Sequence, residues 1–191
     1  EFILNTLTTQ EIIGQALIDL GVKVVTYVPG FGASEVFDCY NSLAIKQPIL
    51  SFHEETAFSI AHGASFVGAR SAVLIKAQGF MKAGNAVTDS LYAQNKAGFV
   101  TFIFDDTEGK HSDNILEIEP ILKGMAFPFK IASPTSIYDD IAKAYLFSEQ
   151  KTTPVVIIIK CNDINKKFSF ERRTNLKNSF EYKRDILSNV V

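Results

Sequence analysis

The apolar positions of this sequence fall into short runs, separated by segments in which they recur at helical spacing. Six runs predict strands, at 22–28, 48–52, 71–77, 99–105, 127–132 and 154–160. Some have no polar side: Val155, Val156, Ile157, Ile158 and Ile159 follow one another without a break. A strand without a polar side is buried on both faces, which is the pattern of a parallel sheet.

Helices are predicted between the runs. Thr8 with Glu11 spells a capping box, and Ile13, Ala16, Leu17 and Leu20 follow on one side. Gly21 stands where a helix stop belongs. Ser136 with Asp139 gives a similar start, followed by Ile141, Ala144 and Tyr145. Strand–helix alternation of this kind predicts an α/β fold. The expected architecture has three layers: an open parallel sheet of about six strands with helices on both faces. Ligands of such sheets sit beyond the carboxyl ends of the strands.

A length of 191 residues suggests one domain, and a hydrophobic fraction of 47% is enough for a real core. The expected domain spans 1–160. From 161 to 191 the chain turns polar, with seven Lys/Arg and four Asp/Glu. This part reads as a surface extension with one weak helix near its end. Phe168, Phe170, Phe180 and Tyr182 leave open an arm that packs on a partner. The net charge of -2 favours neither nucleic acid nor an anionic membrane as partner. No stretch reaches the roughly 18 apolar residues of a membrane span. The sequence starts at Glu1 without a secretory pattern, so an upstream piece is expected. Two cysteines, Cys39 and Cys161, make no disulfide framework and are too few for a four-cysteine cluster. A reducing cytoplasm is the expected location.

Several strand ends carry residues able to do chemistry. The first is followed by Pro29-Gly30-Phe31-Gly32-Ala33-Ser34-Glu35, where glycines let the backbone turn sharply and approach a ligand. A dinucleotide loop would need glycine in place of Glu35, and an acid in the first helical turn repels phosphate. The second strand runs into His53-Glu54-Glu55-Thr56 and a helix with Ala57, Ala61, Gly63 and Ala64. Acids at a helix start often serve only the helix dipole. A desolvated carboxylate there is instead able to share a proton. Adjacent helical residues diverge by about 100°, so only one of Glu54 and Glu55 can face a ligand. The third strand ends at Gln78-Gly79, an amide beside a position of close approach. The fourth runs into 105–113, a loop with four acids, His111 and Ser112 that is either a solvated excursion or a substrate-facing lid. Its spacing matches no metal motif. His62 reads as structural, and no serine sits in a nucleophile elbow.

Together these loops resemble the pyrimidine-binding (PYR) domain of thiamine-diphosphate enzymes. The segment Tyr27-Val28-Pro29-Gly30-Phe31-Gly32 is similar to that domain's first loop. His53-Glu54-Glu55-Thr56-Ala57 with Ala61-His62-Gly63-Ala64 is similar to its glutamate helix. The closest flavour is the amino-terminal part of 2-oxoacid (indolepyruvate-type) ferredoxin oxidoreductases, through Gly63–Arg70 and the stretch from Ala97 to Ser112. Sulfopyruvate and phosphonopyruvate decarboxylases share the plan. The resemblance implies Glu54 as the catalytic carboxyl on the cofactor's pyrimidine, with Pro29, Gly30, Gly32, Gln78 and Gly79 packed around that ring. It implies His111 and Ser112 as substrate contacts and no metal ligand in this chain.

The family binds diphosphate and Mg²⁺ through a Gly-Asp-Gly signature on a separate domain, and this chain has no Gly-Asp pair. A partner chain is therefore expected to hold Mg²⁺ and the diphosphate, in a heterotetramer with two copies of this chain. The first expectation is a thiamine-diphosphate-dependent 2-oxoacid decarboxylase, a lyase subunit active only with its partner. The alternatives are a subunit of a 2-oxoacid:ferredoxin oxidoreductase, a non-catalytic assembly module, and a stand-alone flavodoxin-like nucleotide binder.

Overall fold

A computed structural model describes residues 4–44, 47–173 and 176. Strand β1 (Leu4–Thr8) stands outside the main sheet. The main sheet holds β2 (Val24–Tyr27), β3 (Ile49–Leu50), β4 (Ser71–Lys76), β5 (Phe99–Asp105), β6 (Phe129–Ile131) and β7 (Val155–Lys160). Its order is β3-β2-β4-β5-β7-β6, and every neighbouring pair is parallel. The six expected strands are all present. Those at 48–52 and 127–132 shrink to two and three residues, because β3 and β6 are edge strands paired on one side only.

Alternation along the strands divides the core in two. Ala72, Leu74, Val100, Phe102, Phe104, Val155, Ile157 and Ile159 face one side of the sheet. There they meet α1 (Thr9–Asp19), α2 (Ala33–Leu43) and α7 (Ile137–Lys151). Val73, Ile75, Phe99, Ile103, Val156 and Ile158 face the other side. They meet α3 (Glu54–Phe66), α4 (Ala77–Lys82), α5 (Gly84–Ala93) and α6 (Ile118–Gly124). Successive side chains of a strand point to opposite faces, so an unbroken apolar run supplies both cores at once.

Thr8 caps α1 as expected, and Glu11 closes the box back onto the Thr8 amide at 2.7 Å. Ser136 does precede α7, but its hydroxyl donates to Asp140 at 2.9 Å rather than engaging Asp139. Asp139 pairs instead with Arg173.

The expected polar extension begins as part of the fold. A short 3-10 turn, Cys161–Asp163, leads to β8 (Lys167–Glu171), which pairs antiparallel with β1. Phe170 is buried and Phe168 packs against the same core. Both Nε and Nη2 of Arg172 donate to the buried Asp19, which also accepts from the Tyr138 hydroxyl at 2.6 Å. The helix expected near the chain's end lies outside the described residues.

Burial opposes the charge on Asp19, yet the hydrogen bonds from Arg172 and Tyr138 outweigh it and hold the carboxyl below the usual carboxylate range. A depressed folded-state value adds stability above the unfolded value, near about pH 3.9. That stability is lost as pH falls through the lower folded value. The protection of β8 amides, taken relative to their intrinsic exchange rate at each pH, is therefore expected to fall on acidification below about pH 4. Asp19→Asn is expected to exchange faster already at neutral pH. Equal exchange in mutant and wild type would disprove the anchor.

Candidate functional site

The chain crosses the sheet from β3 to β4, so β2 and β4 are neighbours whose connections leave in opposite directions. This is a topological switch point, the place where open α/β sheets bind ligands beyond the carboxyl ends of the strands. The residues singled out in the loops after β2, β3, β4 and β5 all belong to this end.

Glu54 is the first residue of α3, whose amino terminus is capped by the His53 ring accepting from the Thr56 amide at 3.3 Å. The Glu54 side chain is only 16% exposed. It lies over Gly79: a Cβ at that glycine would stand 3.0 Å from Glu54 Cγ and 3.6 Å from its Oε1. The glycine thus leaves room for the carboxylate, as a close-approach position should. Oε2 lies 3.0 Å from Nζ of Lys82. The same oxygen is buried and makes no aligned hydrogen bond, so the contact is an ion pair without hydrogen-bond geometry.

The small residues of α3 split between its two sides. Ala57 and Ala61 face inward, fully buried, and let the helix approach β2 until the Thr26 hydroxyl reaches the Ala57 carbonyl at 2.8 Å. The surface they bring close is the sheet, not another subunit. Gly63 faces outward, with nothing within 4 Å of a Cβ position. His62 is buried between Phe66 and Phe99, with Nε2 2.7 Å from the Gln94 carbonyl.

The loop after β2 is built on close packing. Pro29 is exposed. Gly30 packs on the aliphatic stem of Lys76, where a Cβ would come within 2.8 Å of Cδ. Gly32 has φ +88 and lies against the Phe104 ring, so a side chain there meets both backbone strain and a clash. Its amide donates to the Glu35 carboxylate, so the acid caps α2 internally. Gly32→Ala is expected to cost about 2–4 kcal/mol of stability. The urea unfolding midpoint measures it, and an unchanged midpoint would refute the packing.

The loop from Asp105 to Ile115 folds back across the same end. Asp106 accepts from the amides of His111 at 2.7 Å and Lys110 at 3.2 Å. Burial opposes its charge, but the His111 amide and the other donors hold its carboxyl below the usual range. The Ser112 hydroxyl adds little to this: its oxygen is buried but makes no aligned hydrogen bond. Lys76 Nζ donates to the His111 carbonyl at 3.1 Å, and the His111 ring stacks on Phe31 with centroids 3.6 Å apart. Gln78 spends its amide on the Asn114 carbonyl at 2.6 Å. Gln78 therefore holds the loop in place, a structural use that the strand-end position did not reveal. Asp105 pairs with Lys160 on β7.

The structure thus brings Glu54 and Gly79 together, and joins Gly30, Gln78 and His111 through the loops. Sequence reasoning missed Lys76, Lys82 and Phe31. Lys82 was detectable: it follows Gly79 by three residues on α4, and such residues share a helix face. Among the described residues, no group of three His, Cys, Asp or Glu side chains could hold a metal ion. No helix among them is long and apolar enough to cross a membrane.

The sequence is 27% identical over 157 residues to indolepyruvate oxidoreductase subunit IorA of Archaeoglobus fulgidus, covering 77% of this chain. This likeness agrees with the resemblance to 2-oxoacid oxidoreductases that the loop motifs carry. No family model matches the chain. The fold superposes with a TM-score of 0.75 on 2-oxoglutarate:ferredoxin oxidoreductase from Magnetococcus marinus, a structure with 2-oxoglutarate, coenzyme A and succinyl-CoA bound. That match covers 89% of this chain at 12% identity, so it speaks for the fold alone. The chain spans 25% of the Archaeoglobus protein and 32% of the Magnetococcus one.

Proposed function

We propose that this PYR-like domain is the pyrimidine-side half of the active centre in a thiamine-diphosphate-dependent 2-oxoacid:ferredoxin oxidoreductase. The observation that carries the reading is the Glu54 carboxyl: largely buried at the switch point, floored by a glycine, with Oε2 beside Lys82 and Oε1 over Gly79. Such a group fits a flat nitrogen ring better than it fits bulk water. The relative that the sequence matches is an oxidoreductase subunit, which favours this reading over the decarboxylase. The decarboxylase has no specific support in either comparison.

When bound, thiamine diphosphate would supply the nucleophile and the electron sink for decarboxylation of a 2-oxo acid. This chain's part is to orient and to exclude water. Glu54 shares a proton with the pyrimidine ring nitrogen, acting as general acid–base rather than nucleophile. Gly79 leaves room for the Glu54 carboxylate, and the loop of Pro29, Gly30 and Gly32, packed on Lys76 and Phe104, would stand opposite the ring. His111 and Ser112, on the loop tied down by Lys76 and Gln78, face the 2-oxo acid.

A partner chain completes the site, holding the diphosphate and Mg²⁺ that a sequence without a Gly-Asp pair cannot bind by the family's route. The outer surfaces of α3 and α5 support such a contact. Thr56, Ile60, Gly63 and Val67 form one stripe, and Val67 is 79% exposed. On the neighbouring helices Met81 is exposed and Tyr92 is 94% exposed. Adjacent exposed apolar side chains of this size mark interaction surfaces. Electrons would leave through groups other than the two cysteines of this sequence. Burial pushes the Cys161 thiol up to about 12 and the Cys39 thiol up to about 11, and a thiol that resists ionisation is a poor cluster ligand.

Co-expression with partner chains carrying the Gly-Asp-Gly signature tests the reading. The purified complex is expected to retain thiamine diphosphate and Mg²⁺, and to reduce ferredoxin or a viologen when given a 2-oxo acid. Release of aldehyde without any electron acceptor would favour the decarboxylase. A complex that binds no thiamine diphosphate would sink both.

A further inference from the structure

We infer that Lys82 is the positioning residue of Glu54: its ammonium and the Gly79 floor hold the carboxylate in one orientation at the switch point. The inference rests on the proposed role of Glu54 and adds a second residue to that site. Three observations carry it. Lys82 Nζ lies 3.0 Å from Glu54 Oε2, and α4 presents Gly79 and Lys82 to the same carboxylate, one beneath it and one beside it. The carboxylate is largely buried at 16% exposure, while the lysine is 57% exposed. No aligned hydrogen bond fixes Oε2, so the lysine is what restrains that oxygen.

A glutamate at a helix start has three rotatable side-chain bonds, and a glycine floor alone constrains only one side of them. An ion pair with an exposed ammonium contributes little to fold stability. Its effect here is geometric. With Oε2 turned to Lys82, Oε1 is the oxygen left to meet a ring nitrogen delivered by the partner. Arginine in place of lysine keeps the charge and the reach, and methionine keeps the apolar stem without the charge.

The test has one arm that needs no cofactor. In the isolated full chain, a carbodiimide joins amine to carboxylate only at ion-pair distance. Peptide mass spectrometry is expected to find a Glu54–Lys82 isopeptide bond in the wild type, and none in Glu54→Gln or Lys82→Met. In the reconstituted complex, Lys82→Met is expected to lower kcat about tenfold, as misplacement of a reacting group does. KM for the 2-oxo acid stays unchanged, and Lys82→Arg restores most of the rate. A folded wild-type chain without the crosslink overturns the inference whatever the protein's function is. So does a Lys82→Met complex with wild-type kcat, or one changed in KM alone. A wild-type complex without thiamine diphosphate overturns the proposed function instead, and the crosslink then decides whether Lys82 restrains Glu54.

Discussion

Glu54→Gln in the reconstituted complex is expected to lower kcat by at least about 100-fold, the lower range of general acid–base catalysis. The amide matches the carboxylate in size and fits over Gly79 as before, but it cannot share a proton with a ring nitrogen. Stability is expected to stay near that of the wild type. Among the described residues, Glu54 forms its ion pair with Lys82, a largely exposed side chain, and such a pair is worth little to the fold. Circular dichroism and the melting midpoint check the fold, and steady-state turnover checks the chemistry. Wild-type turnover from a folded Glu54→Gln complex would remove Glu54 from the mechanism.

The largest effect on stability is expected at the opposite end of the sheet. Arg70, just before β4, is 2% exposed and forks onto Glu149 of α7, which is equally buried. Its Nη2 reaches Glu149 Oε2 at 2.9 Å, and Nη1 donates to the Leu20 carbonyl at 2.9 Å and the Leu176 carbonyl at 3.1 Å. The guanidinium lies over the Tyr145 ring, 5.8 Å from its centroid. Arg70→Met leaves the Glu149 carboxylate buried without its cation, and is expected to cost about 3–5 kcal/mol. Urea unfolding measures this. Replacing both partners by apolar residues, Arg70→Met with Glu149→Leu, is expected to recover most of the loss, because no charge is then stranded. A single mutant that loses less than about 1 kcal/mol would show that the pair is not isolated from water.

These two substitutions separate activity from stability, and the separation follows from topology. In a parallel sheet all strands point one way, so one edge collects the carboxyl ends and the loops that carry chemistry. The other edge collects the amino ends. Arg70 tethers that second edge to α7 and to the loop after α1.

Much of the fold was legible in the pattern of residues. The run Val155–Ile159 reads as a strand buried on both faces, and it lies between β5 and β6 with alternate side chains in the two cores. The box at Thr8 and Glu11 depends on contacts three residues apart, so it could be read directly. The start at Ser136 was legible as a position but not in its partner. The Ser136 hydroxyl reaches Asp140, one turn on, while Asp139 pairs with Arg173 of the distant extension. The first part of the extension read as polar surface because β8 alternates and lies at an edge. Only β1, some 160 residues away in sequence, makes it a strand.

Local chemistry determined the strands, the first helix cap, the buried faces and the set of loops that meet at one end, because each follows from neighbours within a few positions. Glu54 was legible too, since its place at a strand's carboxyl end before a helix is a local fact. The tertiary structure alone decided which groups Glu54 meets. Gly79 slides beneath it and Lys82 comes beside it only because β4 returns next to β2. It also turned Gln78 from an expected cofactor contact into a tether on the 105–115 loop, and set Ala57 and Ala61 against the sheet. Such pairings join segments tens of residues apart, and the free energy that selects them comes from packing the whole sheet at once.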